Sequence, residues 1–266
     1  MPDLYFVVLY INCFNLRRKE NYMPNWCSNY HYVVGPLKDV NRFIKTINNA
    51  CSGKWKEVTN TAFSEYWLGN ILLELNIYPD KVKRGSKLPG AISYRGSICD
   101  LPEDPDPNPK NKKEVTTSFM TETAWGPSEM WDDLIFPKYF PTLQHYFVAE
   151  EPGCEVYVNT DESRTYLLDD YMLIINSDMT EEEFEDRCSR YFKKPEHVNS
   201  FTELFLDCDN FGEHRFAAGE LEPFIKSISH PNYPIESITD FELFLSTIND
   251  NPDKALSIRL HKYLTH

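Results

Sequence analysis

The chain is predicted to be an α+β protein, in which helices cover one face of an antiparallel sheet in a split βαβ layout and a mainly helical extension follows. Three observations predict it. Residues 25–150 read as strand, helix, inserted helix, strand, strand, helix, strand. Hydrophobic residues make up 41% of the 266 and charged ones 26%, enough apolar side chain to bury a core and against a disordered chain. The last third instead carries repeated acidic helix starts.

Asn25 to Val34 is rich in Trp, Tyr and Val and is stopped by Gly35-Pro36, which predicts a strand. Leu37, Val40, Phe43, Ile44 and Ile47 recur at helical spacing, so Leu37–Ala50 is predicted as an amphipathic helix. Trp67, Ile71 and Leu75, four apart, predict a second helix over Phe63–Ile77, ended by Pro79. Residues 78–90 are basic and turn-rich, and a short strand is expected over Ala91–Cys99.

Pro102, Pro105, Pro107 and Pro109 fall within eight residues, a density that predicts a surface loop. Val115–Ala124 is Thr-rich and extended, and a helix runs from Ser128 toward Phe136, with Pro137 as its expected interruption. Leu143–Glu150 and Cys154–Asn159 are predicted strands, joined by a tight Pro152-Gly153 turn. Beyond Ile175, capping-box patterns at Thr180–Glu183, Ser200–Glu203 and Thr239–Glu242 predict helices. The strand and helix order up to Glu150 is that of a ferredoxin-like domain. The division expected is 23–174 for that domain, with an insert at 51–113, and 175–266 for the acidic extension.

Charge and cysteine usage narrow the function classes. Twenty-seven Lys and Arg stand against 41 Asp and Glu, a net charge of −14. That balance argues against a protein that tracks a phosphate backbone, so nucleic acid is not the expected partner. The acid is uneven: from Ile175 onward, nine basic residues face eighteen acidic ones. Seven widely spaced cysteines, with no CxxC pair, are neither a disulfide framework nor a zinc ribbon and predict reduced thiols in a cytoplasm. The apolar run Leu4–Phe14 is shorter than the ~20 residues a membrane-spanning helix needs. Its basic cluster Arg17-Arg18-Lys19 follows it rather than preceding it, unlike an export signal. Residues 1–22 are therefore expected to be a translated leader ahead of Met23, or else an extra edge strand.

Met23-Pro24-Asn25-Trp26-Cys27-Ser28-Asn29, with Gly35-Pro36, resembles the start of the YubB-like ferredoxin-like domain family. Four further blocks resemble it: Trp67-Leu68-Gly69-Asn70, Tyr94-Arg95-Gly96, Thr121–Pro127 and Glu150–Tyr157. The resemblance covers about residues 23–172. It implies a protein of bacterial plasmids, phages and integrated elements, with a ferredoxin-like fold lacking an iron–sulfur cluster, and it implies no activity. The Pro-rich insert and the acidic last third depart from the family pattern.

The candidate binding residues are Glu122, Trp125, Glu150, Glu151 and Asp161, with Arg95 as counter-ion. Two nearby carboxylates bind a cation, or hold one raised pKa for acid–base work, and ion pairing to Arg95 is the commoner alternative. Cys208 and His214 have no second pair to complete a metal site, so no metal or other cofactor is expected. Cys27 and His31, four residues apart on one strand, sit ~13 Å apart, too far for a nucleophile and its base. Trp26, Tyr30 and Tyr32 share one strand face, as bases require of an RNA-binding sheet, but the basic-Gly-aromatic signature is missing. The expectation is a non-enzymatic protein-binding or regulatory module, in one form a counter-defence protein. The alternative is a carboxylate-based, metal-assisted hydrolase of a phosphate ester or nucleotide.

Overall fold

The computed structural model describes residues 25–55, 64–77, 94–177, 183, 213–229, 235–249 and 256–265. The expected leader, the basic segment 78–90 and the helix starts at Thr180 and Ser200 lie outside the described residues. Two compact units divide at Asp161 and Glu162. Both are α+β with antiparallel sheets. Among the described residues, no helix is long and apolar enough to cross a membrane.

In the first unit, β1 (Trp26–Gly35) is the central strand. Its odd positions Cys27, Asn29, His31 and Val33 are buried, while Ser28 and Tyr30 are exposed. That alternation puts one face under helices. Pro36 ends the strand and opens α1 (Leu37–Ala50), its carbonyl accepting from the Asp39 and Val40 amides. The predicted apolar stripe is the buried one: Val40, Phe43 and Ile47 pack with Val33 and Phe119.

The helix expected over Phe63–Ile77 is shorter. A 3-10 turn, Ser64–Tyr66, precedes α2 (Gly69–Glu74). The cause is Trp67, which leaves the helical path to bridge Ser97, while the Leu68 amide donates to the Gly96 carbonyl at 3.1 Å. Those bonds tie the segment to β2 (Gly96–Asp100), which pairs antiparallel with β4 (Val115–Ala124). A Cβ at Gly96 would overlap the Glu122 carbonyl oxygen, so that close strand approach requires glycine.

The Pro-rich segment is a loop except for β3 (Asp106–Pro107), which adds two residues to the edge of β4. Proline survives there because an edge strand needs no amide on its open side. The helix expected after Ser128 is a π-helical turn, Trp131–Ile135, running into α3 (Phe136–Tyr139). Pro137 falls in the first turn of α3, where its missing N–H costs nothing, so it continues the segment rather than interrupting it. β5 (Gln144–Glu151) and β6 (Val156–Asn159) follow. They are joined by a 3-10 turn over Pro152–Cys154 that closes through Glu155 at φ 55.

All neighbours in this sheet are antiparallel, in the order β2-β4-β1-β5-β6, with β3 also on β4.

In the second unit the described residues add a three-stranded antiparallel sheet to the helices expected of the last third. β7 (Asp169–Ser177) is flanked by β8 (Glu213–Ala217) and β9 (Leu256–Lys262), both antiparallel to it. β7 thus crosses the expected boundary at Ile174. α4 (Leu221–Ile228) and α5 (Ile238–Asn249) bring Leu221, Ile225, Phe241 and Leu245 against Leu173, Phe216 and Ile258. The cap of α5 is not Thr239. Ser237 Oγ accepts from the Asp240 amide at 3.1 Å and donates to Asp240 Oδ2 at 2.7 Å, one box earlier than expected.

Candidate functional site

The first unit offers two distinct sets of polar groups, one on each face of β1. On the even face, register places Ser97, Glu122, Ser28 and Glu150 in a single row across β2, β4, β1 and β5. Glu122 and Ser28 are exposed and Glu150 is half-buried. Glu122 and Glu150 do not end neighbouring strands, because β1 lies between theirs. Their backbones are two strand spacings apart, about 10 Å. Tyr30, 39% exposed, lies next along the same face, with Tyr32 and Tyr146 paired and half-buried beyond it.

The other predicted residues disperse. Arg95 is exposed and forms no ion pair with Glu122 among the described residues, while its carbonyl accepts from the Ala124 amide at 3.0 Å. Trp125 is half-buried at φ 76, a backbone conformation costly for so bulky a residue, with its amide donating to the Asn25 carbonyl at 3.0 Å. Glu151 follows Glu150 by one residue and so faces the opposite side. It is buried, and its Oε1 accepts from the Gly153 amide at 3.2 Å. Asp161 is also buried, its amide donating to Asn159 Oδ1 at 3.0 Å. The structure therefore brings Glu122 and Glu150 into one row and leaves Arg95, Trp125, Glu151 and Asp161 outside it.

Among the described residues, no three His, Cys, Asp or Glu side chains are grouped as a metal requires. His214 lies on β8 with its ring 4.5 Å from that of Phe216, and Cys208 lies outside the described residues.

Two thiols near the candidate residues are held in the protonated form. Burial first, and the Glu151 carboxylate second, push Cys27 up to about 12. Partial burial first, then the carboxylates of Glu122 and Asp100, push Cys99 up to about 11.

The odd, helix-covered face holds a set that the sequence argument missed. Asn29 is fully buried, and its Nδ2 donates to the Cys27 carbonyl, the Thr121 carbonyl and Thr123 Oγ1 at 2.9, 3.2 and 2.9 Å. Two residues on, His31 Nδ1 lies 2.9 Å from His145 Nε2, and His31 Nε2 lies 2.9 Å from Thr121 Oγ1. His145 Nδ1 in turn lies 2.6 Å from Asp132 Oδ1. The chain Thr121–His31–His145–Asp132 thus crosses from β4 through β1 and β5 to the π-helical turn. It runs from a buried hydroxyl to a carboxylate that is 47% exposed.

Aromatic rings fix both imidazoles: His31 stacks on Phe119 at 4.3 Å and His145 on Phe136 at 4.1 Å. Burial first, and the His145 imidazole second, hold His31 well below the usual histidine range. The signal in the sequence was parity, since His31 shares the strand face of Cys27 and Val33. Its partner could not be read there, because His145 is 114 residues away.

Comparison of the chain with family models, with curated proteins and with solved structures finds no match in any of the three.

Proposed function

We propose that the chain is a non-enzymatic protein-binding module. Its partner presents a basic segment to the face that carries Ser28, Tyr30, Glu122 and Glu150. The observation that supports this most is the register of the row. Two carboxylates about 10 Å apart suit cationic side chains two or three residues apart on an extended segment better than one shared metal ion. Tyr30 beside them adds a ring for apolar or cation–π contact. A net charge of −14 favours encounter with a basic partner at low salt.

The first unit belongs, on this proposal, to the ferredoxin-like class. Taking β1, β2, β4 and β5 as the core strands, their spatial order is second, third, first, fourth, with β3 and β6 as additions. The YubB-like kinship and a role in a bacterial mobile element are part of the same proposal, and rest on the residues that carry the resemblance.

The test is affinity capture from bacterial lysate at low and high salt, with wild type, Glu122→Lys and Tyr30→Ala compared. The expected result is a basic protein held by wild type at low salt, released by high salt, and lost with Glu122→Lys. A metal-dependent phosphate-ester turnover abolished by Glu122→Gln, with no partner distinguishing wild type from Glu122→Lys, overturns it.

A further inference from the structure

The helix-covered face of the first unit carries a device that the binding face does not use. A carboxylate only accepts hydrogen bonds, so Asp132 requires the proton of neutral His145 on Nδ1. That leaves His145 Nε2 as a lone pair, which requires His31 to donate from Nδ1. His31 Nε2 is then a lone pair and receives the Thr121 hydroxyl proton. With both imidazoles neutral, every proton points one way, toward Asp132.

One added proton fits this arrangement. It places an imidazolium on His145, still bonded to Asp132, while His31 moves its own proton from Nδ1 to Nε2, so that Nδ1 accepts from His145 and Nε2 donates to Thr121 Oγ1. A second proton does not fit. It sets N–H against N–H across the 2.9 Å His31–His145 contact and places two positive charges in an apolar stack.

We propose that the Asp132–His145–His31–Thr121 chain is an acid-sensitive latch. When both imidazoles are charged, the His31–His145 bond breaks and the Trp131–Tyr139 segment lifts while the sheet beneath it holds. The parts differ in backbone pairing, while Trp131, Ile135 and Phe136 anchor the segment in the core. β1 pairs with β4 along its whole length and with β5 from Ser28 to Val34. The segment is a π-helical turn and four residues of α3. Its named polar ties elsewhere are Arg42 Nη2 to the Tyr139 carbonyl at 2.8 Å and the Asp133 amide to the Glu129 carbonyl at 2.9 Å. Trp131 is buried with its indole N–H lacking an acceptor among the described residues, so lifting returns that group to water.

The surroundings of the pair are accountable element by element. β4 presents Phe119 and Thr121, and α1 presents Phe43 against Phe119. β5 presents Phe147, with Glu151 on the same face six residues beyond His145, and β1 presents the Cys27 thiol four residues from His31. The π-helical turn presents Asp132 and Trp131, with Asp133 exposed, and α3 presents Phe136, with Lys138 exposed. Asp132 is the charged side chain bonded to the pair.

The sign follows from the depressed titration of His31: its contribution is complete above about pH 6.5, the unfolded histidine value, and is lost as the pH falls below it.

Hydrogen exchange of the full chain, read by mass spectrometry from pH 7.5 to 5.0 and corrected for intrinsic rates, tests the latch. The expected result is an opening constant for residues 131–140 that rises below pH 6.5, by up to about tenfold per pH unit for each proton taken up. The β1 and β4 amides stay protected over the same range. Asp132→Asn keeps an acceptor oxygen but removes the carboxylate, so the opening constant of its 131–140 segment exceeds that of wild type at the same pH below 6.5. An unmoved profile in Asp132→Asn overturns the latch. So does exchange of 131–140 in step with β1 at every pH, because the event is then global acid unfolding.

Discussion

Cys99 tests the electrostatics of the row at a single atom. It lies in the irregular register between Ile98 and Asp100, exposed at the edge of β2, and exposure alone marks it as a ready target for alkylation. The Glu122 and Asp100 carboxylates work the other way: with partial burial, they push the thiol from 9.0 up to about 11. The thiolate is the reacting species, so two pH units of displacement leave about a hundredfold less of it at neutral pH. Cys99 is therefore expected to react with iodoacetamide about tenfold more slowly than an unperturbed exposed cysteine, because the scarcer thiolate is also the more nucleophilic. Glu122→Gln should speed it several-fold at the same pH, as followed by peptide mass spectrometry. Equal rates in the two proteins would mean that Glu122 does not reach Cys99 in solution. His31 shows the opposite limit, a group whose environment is set by cross-strand register rather than by neighbours in sequence.

Elements divide into those whose residues declare them and those decided by distant partners. α1 was legible because Val40, Phe43 and Ile47 repeat at helical spacing and are the residues that go inside. The second predicted helix carried the same signal and is broken into a 3-10 turn and a six-residue α-helix, because Trp67 takes a bridge to Ser97 that local spacing does not encode. β9 carries a period of two in Leu256, Ile258 and Leu260, a strand signal to which capping-box patterns are blind. Of the site, the carboxylate row was half legible: strand order separated Glu122 from Glu150, and the parity of β5 sent Glu151 inward. For α5, two capping patterns overlap, and Ser237 wins because its hydroxyl meets both the amide and the carboxylate of Asp240. Ser237→Ala is expected to cost about 1 kcal/mol. Denaturant melts of wild type and variant would read it, and Thr239→Ala should change them far less.

At the scale of the whole chain, the two units have separate cores, and that separation makes a prediction of its own. Phe43 is fully buried in the first, with its ring 5.5 Å from Phe119, 5.4 Å from Phe136 and 5.4 Å from Phe140. Phe241 is fully buried in the second, in a cluster with Leu173, Ile225 and Ile258. Truncating either ring removes apolar burial and leaves a cavity, at a cost of about 3–5 kcal/mol. If each cluster holds its own unit, that loss stays on one side of the Asp161–Glu162 division. Phe43→Ala should then raise exchange in β1, β4 and β5 and leave β7 and β9 unchanged, and Phe241→Ala should do the reverse. The double variant should lose the sum of the two single losses, since sites with no shared partner add. A single variant that loosens both sheets equally would show one cooperative fold. The acid-sensitive latch would then have to open against the stability of the whole chain rather than that of its own unit.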